Sequence, residues 1–411
     1  IRYYVRDRKM NAPKRRNLYI LTFTLFVVML GYGVIIPILP FYIENMGAGG
    51  TELGLLTASY AVMRLIFGPI WGGLSDRVGR KPILLIGIAG YVITMVWFGL
   101  ATELWMLFAA RILSGILSSA TAPTTMAYIG DSTPEDERGG GMGLLGAAAG
   151  IGTIFGPVLG GFLADTSLAT PFFVAASMAL LSLILTAVFL PESLSAETRQ
   201  ISEDEHKLVD LKSWREALFS PIGKLLILTL VSTSGLMIFA SVFGLYTLDK
   251  FSFGPDDIGI MMMVLGLVSA LAQGILAGPL TKRWGDETII KFSILGTALG
   301  FVLLLLSNND LAIFLSTAFF GLMTALQVPA LTSLTSRRAT VPQGIAMGLI
   351  NSFISLGRIV GPIWGGIALD INSGLPYLSG AVIMFVGFGM SMIWLPKPPV
   401  ETHSPRIEIL H

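Results

Sequence analysis

Residues 72–82 read Gly-Gly-Leu-Ser-Asp-Arg-Val-Gly-Arg-Lys-Pro and separate two long apolar runs of the chain. Four charged side chains, from Asp76 to Lys81, stand here among three glycines. Glycine allows the backbone to turn sharply, and charges of this density belong at a membrane surface rather than in its interior. The stretch therefore predicts a tight turn between two membrane-spanning helices.

Apolar runs dominate the rest of the chain as well. Of its residues, 53% are hydrophobic and 13% are charged, against roughly 25% charged in soluble domains. A helix needs about 20 apolar residues to cross a bilayer. Runs that long cannot be barrel strands, and backbone in lipid must satisfy its own hydrogen bonds. Twelve helical spans are predicted, at 18–40, 51–74, 82–101, 104–128, 139–164, 169–190, 221–248, 256–280, 288–307, 310–334, 341–368 and 374–395.

Lysine and arginine are concentrated in alternate connections between these runs. The other set of connections carries only Lys250. Positive charge accumulates on the cytoplasmic side of short loops, so both termini and the segment 191–220 are predicted to be cytoplasmic.

Several functional classes are excluded by composition. A net charge of +1 gives no basis for nucleic-acid binding. The absence of cysteine excludes disulfides and thiolate metal sites, and the three histidines, His206, His403 and His411, lie outside the apolar runs. No nucleotide-binding loop is present. Neither a metal nor a cofactor is therefore expected.

The two halves of the chain contain an internal repeat. Residues 142–165 read MGLLGAAAGIGTIFGPVLGGFLAD, and residues 347–370 read MGLINSFISLGRIVGPIWGGIALD. A parallel repeat of two six-helix halves is expected to place a substrate site between them near mid-membrane; the alternative is a duplication retained only for packing. The predicted segments are a tail 1–17, a bundle 18–190, a central loop 191–220, a bundle 221–395 and a tail 396–411.

The turn at 73–81, with its pattern G-x-x-D-R-x-G-R-K, resembles the signature loop of the major facilitator superfamily. The resemblance implies a conformational latch at the cytoplasmic side, with Asp131 as partner; the alternative is a simple positively charged anchor. The fold class expected is all-α integral membrane, with twelve helices in two pseudo-symmetric six-helix bundles. The implied latch residues are Gly73, Asp76, Arg77, Gly79, Arg80, Lys81 and Asp131.

Two further motifs resemble those of the drug:proton antiporter branch of this superfamily. Arg111 is followed four residues later by Gly115, as in proton-coupled carriers of the superfamily. The resemblance therefore implies Arg111, together with Asp76, in proton coupling. The alternative for Arg111 is a side chain that snorkels outward to the membrane surface. The fifth run is rich in glycine around a Gly-Pro pair and resembles the antiporter motif of drug exporters. Glycine at this density also packs helices closely. The packing residues implied are Gly152, Gly156, Pro157, Gly160 and Gly161.

The charges inside the apolar runs are all positive. They are Arg64, Arg111 and Arg358, whereas each acidic residue lies near a span end or outside the spans. Unpaired cations facing lipid are costly, so these arginines are expected to line a polar cavity that favours anionic or zwitterionic substrates. Other candidates for the cavity lining, which could equally be interhelical hydrogen-bonding groups, are Tyr32, Gln273, Gln327 and Asn351.

The sequence thus predicts a secondary transporter, not an enzyme, that exports amphiphilic small molecules as in multidrug efflux and antibiotic resistance. The resemblance implies proton antiport with rocker-switch alternating access, in a multi-pass protein of the plasma membrane that is expected to act as a monomer. Its partners would be the small amphiphile, protons and membrane lipid. The alternative is an exporter of an organic anion or lipid-like substrate that uses the intramembrane arginines without necessarily coupling to protons.

Overall fold

The computed structural model describes residues 12–194, 219–220 and 222–395. The predicted tail 396–411, residues 1–11 of the other tail and most of the predicted central loop lie outside the described residues. Within them, twelve helices are long and apolar enough to cross a membrane, which confirms the predicted number. They are α1 Ala12–Asn45, α2 Gly50–Val78, α3 Arg80–Gly99, α4 Leu104–Ser132, α5 Glu135–Ala164, α6 Thr170–Phe189, α7 Gly223–Phe251, α8 Pro255–Trp284, α9 Asp286–Leu306, α10 Asp310–Arg338, α11 Gln343–Ile371 and α12 Leu375–Trp394.

Several helices continue beyond the apolar runs that predicted them. α2 reaches Val78 and α10 reaches Arg338, each about one turn past the end of the predicted run, because helical hydrogen bonding does not stop where side chains become polar. Two helices are locally irregular: α4 has a 3₁₀ turn at Ser118–Ala120, and α8 has a π-helical segment at Ala272–Leu276. Such irregularities are common at functional sites and hinges.

Each half of the chain has its own apolar core. In the half formed by α1–α6, Phe172 stacks on Phe98 at 5.3 Å between ring centroids. In the half formed by α7–α12, Phe320 packs against Phe239 at 4.5 Å and Phe301 at 4.9 Å. Lipid tails are as apolar as these side chains, so close packing rather than exclusion of water stabilises each half.

Glycine ends both α2 and α8 with a backbone that other residues rarely adopt. Gly79 has φ 119° and Gly285 has φ 78°. These two positions correspond in the internal repeat, and each starts the next helix immediately, at Arg80 and Asp286. The sharp turn predicted at 72–82 is therefore present in both halves, although the charged residues around it differ.

The glycine-rich motif of α5 serves two interfaces. Gly152 and Gly160 face α1, where a Cβ would stand 2.6 Å from the carbonyl oxygen of Phe26 and 2.7 Å from that of Val34, and Gly156 lies in the same contact. Gly161 and the carbonyl oxygen of Pro157 face α8 in the other half, whereas the Pro157 ring lies against Gly33 of α1. The motif thus packs α5 within its own half on one face and across the two halves on the other.

Candidate transport cavity and gates

A cavity of about 260 Å³ lies between the two halves. Its lining comes from α1, α2, α4 and α5 of the first half and from α7, α8 and α11 of the second. Apolar side chains such as Leu236 and Met262 cover much of it, and Tyr32, Arg64, Arg111 and Arg358 supply polar atoms. The structure therefore brings together all three intramembrane arginines and one of the four uncharged residues predicted beside them.

Arg111 is the most deeply placed of these arginines, with 5% of its surface exposed. Its guanidinium carbon lies 5.6 Å from the ring centroid of Tyr60 and 5.7 Å from that of Phe98, distances typical of cation–π contacts. The rings hold the charge away from lipid, and α4 does not direct it outward. Its position is thus that of a cavity residue, not of a snorkelling one.

Arg64 and Arg358 face the cavity from opposite halves. Both line the same cavity, together with Tyr32 and Tyr60, so two like charges share this space. Arg358 stays accessible although it lies deep between helices, because the cavity itself is open to solvent. Thr153, the residue that corresponds to Arg358 in the internal repeat, also lines the cavity.

The remaining predicted cavity residues lie elsewhere. Gln327 is buried within the second half, where its amide donates to the Ser293 carbonyl at 3.1 Å and to the Thr297 hydroxyl at 2.5 Å. Gln273 and Asn351 are exposed and do not border the enclosed cavity. Gln327 has the interhelical bonding that the sequence left as its alternative. Missing from the predictions were Tyr60 and Thr153, which carry no charge that singles them out.

The cavity is closed on one side of the bundle, the far side from the ends of α1 and α12 that carry the chain termini. There α2 packs against α11, and a Cβ on Gly54 would overlap the Pro362 carbonyl oxygen, as one on Gly366 would overlap that of Gly50. α5 packs against α8 in the same way, with 2.5 Å between a Cβ on Gly259 and the Pro157 carbonyl oxygen. Backbone-to-backbone packing of this kind leaves no passage.

The terminal side, where α1 begins and α12 ends, is open. Gly72 and Gly348 lie eighteen residues, or five helical turns, from Gly54 and Gly366 and so share their helix faces. A Cβ on either would meet no described residue within 4 Å. The same helix faces are thus packed at one end and apart at the other, which gives a cavity open toward the terminal side.

A carboxylate also joins the two halves on the far side. Asp370, the last acid of α11, accepts hydrogen bonds from the backbone N–H groups of Gly50 at 2.7 Å and Thr51 at 2.8 Å. These N–H groups begin α2 and have no partner within their own helix, and a negative charge there is favourable. Asp165, its counterpart in the repeat, cannot do the same, because α8 begins with Pro255, which lacks an N–H, followed by two acids.

Replacing Asp370 with asparagine is expected to weaken closure of the far side about fivefold, because the charge-assisted bonds across the halves lose their charge and the site is partly screened by water. The matched control is Asp165→Asn, with little effect expected. The chain contains no cysteine, so spin labels on cysteines at Asn45 and Asp249 would report the far-side distance. Equal distance distributions in the two variants would contradict this role of Asp370.

The predicted latch residues meet at the terminal end of the first half. Arg80 is buried and bonds to Asp76 at 2.5 Å, to Asp131 at 2.8 Å and to the Ser75 hydroxyl at 2.6 Å. It thereby ties together the ends of α2, α3 and α4. Arg77 is exposed, and Gly73 lies one turn before the end of α2.

Glu192, which the sequence did not single out, caps the start of α3. Its carboxylate accepts hydrogen bonds from the backbone N–H groups of Arg80 at 2.9 Å and Lys81 at 3.2 Å, while the Lys81 ammonium donates to the Ala187 carbonyl at 2.8 Å. These bonds join the start of α3 to the end of α6 and to the segment that follows it.

The second half has a corresponding cluster that the sequence did not predict. Asp286 is completely buried at the start of α9; it pairs with Arg337 and accepts a hydrogen bond from the Ser333 hydroxyl at 2.9 Å, both from the end of α10. Glu287 pairs with Arg338 at 2.8 Å. The available signal was an acidic pair directly after the turn glycine Gly285 and an Arg-Arg pair at a span end. The charged residues around this turn differ from those of the 72–82 turn, so the resemblance did not point to this cluster.

Two helical halves around a largely apolar cavity with a few polar groups, packed on one side and apart on the other, are the architecture of a membrane carrier. The chain matches the family described as Major Facilitator Superfamily over residues 21–247 and 225–409, and it belongs to that family. It is accordingly a multi-pass membrane transporter and not an enzyme.

Relatives of known name support the assignment. The chain is 33% identical over 392 residues to Multidrug resistance protein 2 of Bacillus subtilis (strain 168), covering 95% of this chain and 98% of that one. It is 30% identical to the Quinolone resistance protein NorA of Staphylococcus aureus (strain COL), covering 90% and 96%. Among solved structures, a bacterial homolog to the human lysosomal transporter Spinster has the same fold, with a TM-score of 0.77 at 14% identity, covering 93% of this chain and 97% of that chain.

Proposed function

We propose that this protein is a drug efflux transporter that takes amphiphilic small molecules into its central cavity from the cytoplasm and releases them on the other side. The observation that carries the proposal is the one-sided cavity: residues of both halves line it, and only the far side is packed shut. Multidrug and quinolone resistance are the functions named for its relatives. A cavity with apolar walls and few polar groups suits drug-sized amphiphiles.

Transport would proceed by rocking of the two halves about the cavity. Each half has its own core and its own cluster of ion pairs at the terminal end, so each can move as a unit. The far-side contacts would break as new contacts form at the terminal side. In this proposal the terminal side is cytoplasmic, as the lysine and arginine distribution predicts, the host membrane is the plasma membrane, the boundaries are 18–190 and 221–395, and the protein acts as a monomer.

Proton antiport is the proposed energy source, with Asp76 and Arg111 as the groups involved. Asp76 lies beside Arg80 at the terminal side, and Arg111 lies against the cavity. A proton bound at Asp76 would weaken its bond to Arg80, which is the type of local charge change that can bias a two-state element.

Purified protein in proteoliposomes is expected to accumulate a fluorescent amphiphilic drug when a pH gradient is imposed, and to accumulate little without one. Asp76→Asn is expected to abolish the gradient-driven part, because the asparagine cannot bind and release a proton. Arg283→Ala, which removes an exposed charge at the end of α8, is the control and should transport normally. Equal uptake with and without the gradient would exclude proton antiport while leaving facilitated transport intact.

A further inference from the structure

The described residues that line the cavity do not balance its charge. Three arginines line it, and among the described residues no aspartate or glutamate does. Among the described residues, none of the three takes part in an ion pair, and the Nε atom of Arg111 has no hydrogen-bond partner. Arginines at this depth either pair with an opposite charge or face a water-filled cavity. Because no described acid pairs with these three, a solute that carries a negative charge would find unpaired cations here.

Arg64 and Arg358 are the two arginines that a solute would meet. Arg111 is almost fully buried between aromatic rings, whereas Arg64 is half-buried and Arg358 is accessible. They come from opposite halves, and because they line the same cavity their like charges repel. An anion placed between them would remove that repulsion and would link the halves through the solute. The guanidinium fork suits a carboxylate in particular, because it can donate two parallel hydrogen bonds to its oxygens.

Comparison with the internal repeat argues that Arg358 is not there for packing. The repeat has Thr153 at the corresponding position, facing the same cavity from the other half. Small polar threonine is thus sufficient to build this part of the fold. An arginine in one copy only adds charge and hydrogen-bond donors where the fold does not require them.

The apolar part of the cavity lies beside these charges. Leu236 and Met237 of α7 and Met262 and Leu265 of α8 form this wall. We propose that the cavity holds amphiphiles that carry a carboxylate, with the carboxylate between Arg64 and Arg358 and the apolar body against α7 and α8. This inference rests on the proposed function, since it names the chemistry of the substrate that the same cavity would carry.

A matched pair of fluorescent probes tests the inference by equilibrium binding. Dansylglycine carries a carboxylate, and dansylglycinamide differs from it only in the uncharged amide. On purified protein in lipid nanodiscs, in a gluconate buffer, dansylglycine is expected to bind about tenfold more tightly, because hydrogen bonds to charged groups are the stronger ones. Equal affinity of the two probes would overturn the proposal.

Variants locate the preference within the cavity. Arg358→Thr, which copies the repeat, should abolish most of the preference and should raise the melting temperature because it removes repulsion between the halves. A merely structural arginine would instead lower the melting temperature when replaced. Arg64→Gln should act in the same direction on binding, whereas Arg283→Ala should leave the preference unchanged. Retention of the full preference in both cavity variants would overturn the proposal.

Chloride distinguishes an organic carboxylate from an inorganic anion as the natural occupant. If chloride at physiological concentration displaces dansylglycine, the site takes inorganic anions and the carboxylate assignment is wrong; if chloride has little effect, the assignment stands. Binding does not depend on the proposed transport cycle. Drug export without any preference for the carboxylate would thus contradict the proposed carboxylate site and support the efflux function. A preference for the carboxylate without export would support the site and contradict the efflux function.

Discussion

Alanine at Gly54 is expected to drive the protein out of the conformation described above, by about 3 kcal/mol, which is on the order of a hundredfold in population. Its Cβ would overlap the carbonyl oxygen of Pro362, which is backbone and cannot rotate away. α2 and α11 would have to separate at the far side. Because α2 belongs to one half and α11 to the other, separation there means that the far side opens.

Spin labels measure this change directly in a chain without cysteine. Cysteines at Met142 and Ile275 on the terminal side, and at Asn45 and Asp249 on the far side, place one label on each half, at exposed positions. In Gly54→Ala the far-side distance should increase and the terminal-side distance should decrease. Opposite changes at the two ends are what rocking predicts, whereas general loosening would broaden both distributions.

Gly72→Ala is the matched control. Gly72 lies on the same face of the same helix, five turns from Gly54, and a Cβ there would meet no described residue. This variant should leave the conformation described above unchanged, and it should hinder only a state in which the terminal side is packed. If Gly72→Ala and Gly54→Ala shift the distances equally, the change reflects α2 itself and not its contact with α11.

Hydropathy and charge were sufficient to predict the twelve helices, because a membrane leaves few ways to satisfy a backbone. The ion pair between Arg80 and Asp131 was also within reach, since the resemblance directed attention to both residues. The three arginines were expected in a cavity from the cost of burying charge, and all three line one in the structure. A physical constraint limited the arrangement of the helices and the arginines, whereas the ion pair was suggested by the resemblance.

Contacts made between distant parts of the chain were not predictable in this way. Asp370 was noticed only as the closing residue of a repeat, and its partners Gly50 and Thr51 lie about 320 residues earlier. Gln327 is polar and lies within a span, as a cavity residue would, but the direction of its side chain depends on how α9 and α10 pack. Spacing along one helix carries no information about which neighbour will face it.

A carboxylate forms polar contacts at each end of the antiparallel pair α2 and α11. At the far side Asp370 of α11 bonds to the start of α2 across the halves; at the terminal side Asp76 near the end of α2 bonds to Arg80 within its half. The contacts that hold each half together are thus distinct from those that hold the halves to each other. Rocking requires this separation, because only the second set can break in each cycle.

Arg337→Ala tests a contact that holds the second half together. It is expected to lower the free energy of unfolding by about 3 kcal/mol. Asp286 is completely buried, and one of its carboxylate oxygens already lacks a partner among the described residues. Removing its cation leaves a buried charge with only the Ser333 hydroxyl, and such losses are among the largest that single substitutions cause. Unfolding by SDS in mixed micelles measures the effect.

A second substitution shows whether the buried charge is the cause. Adding Asp286→Asn to Arg337→Ala should recover part of the lost stability, because a neutral amide is cheaper to bury than an unpaired carboxylate. Arg338→Ala, which breaks the pair with Glu287, should cost less than Arg337→Ala, because the Glu287 carboxylate is less deeply buried than that of Asp286. If the double variant is instead less stable than Arg337→Ala alone, then Arg337 stabilises α10 by packing, and the pair is not what joins α9 to α10. The far-side distance should stay the same in all three variants, because this cluster lies within one half and moves with it.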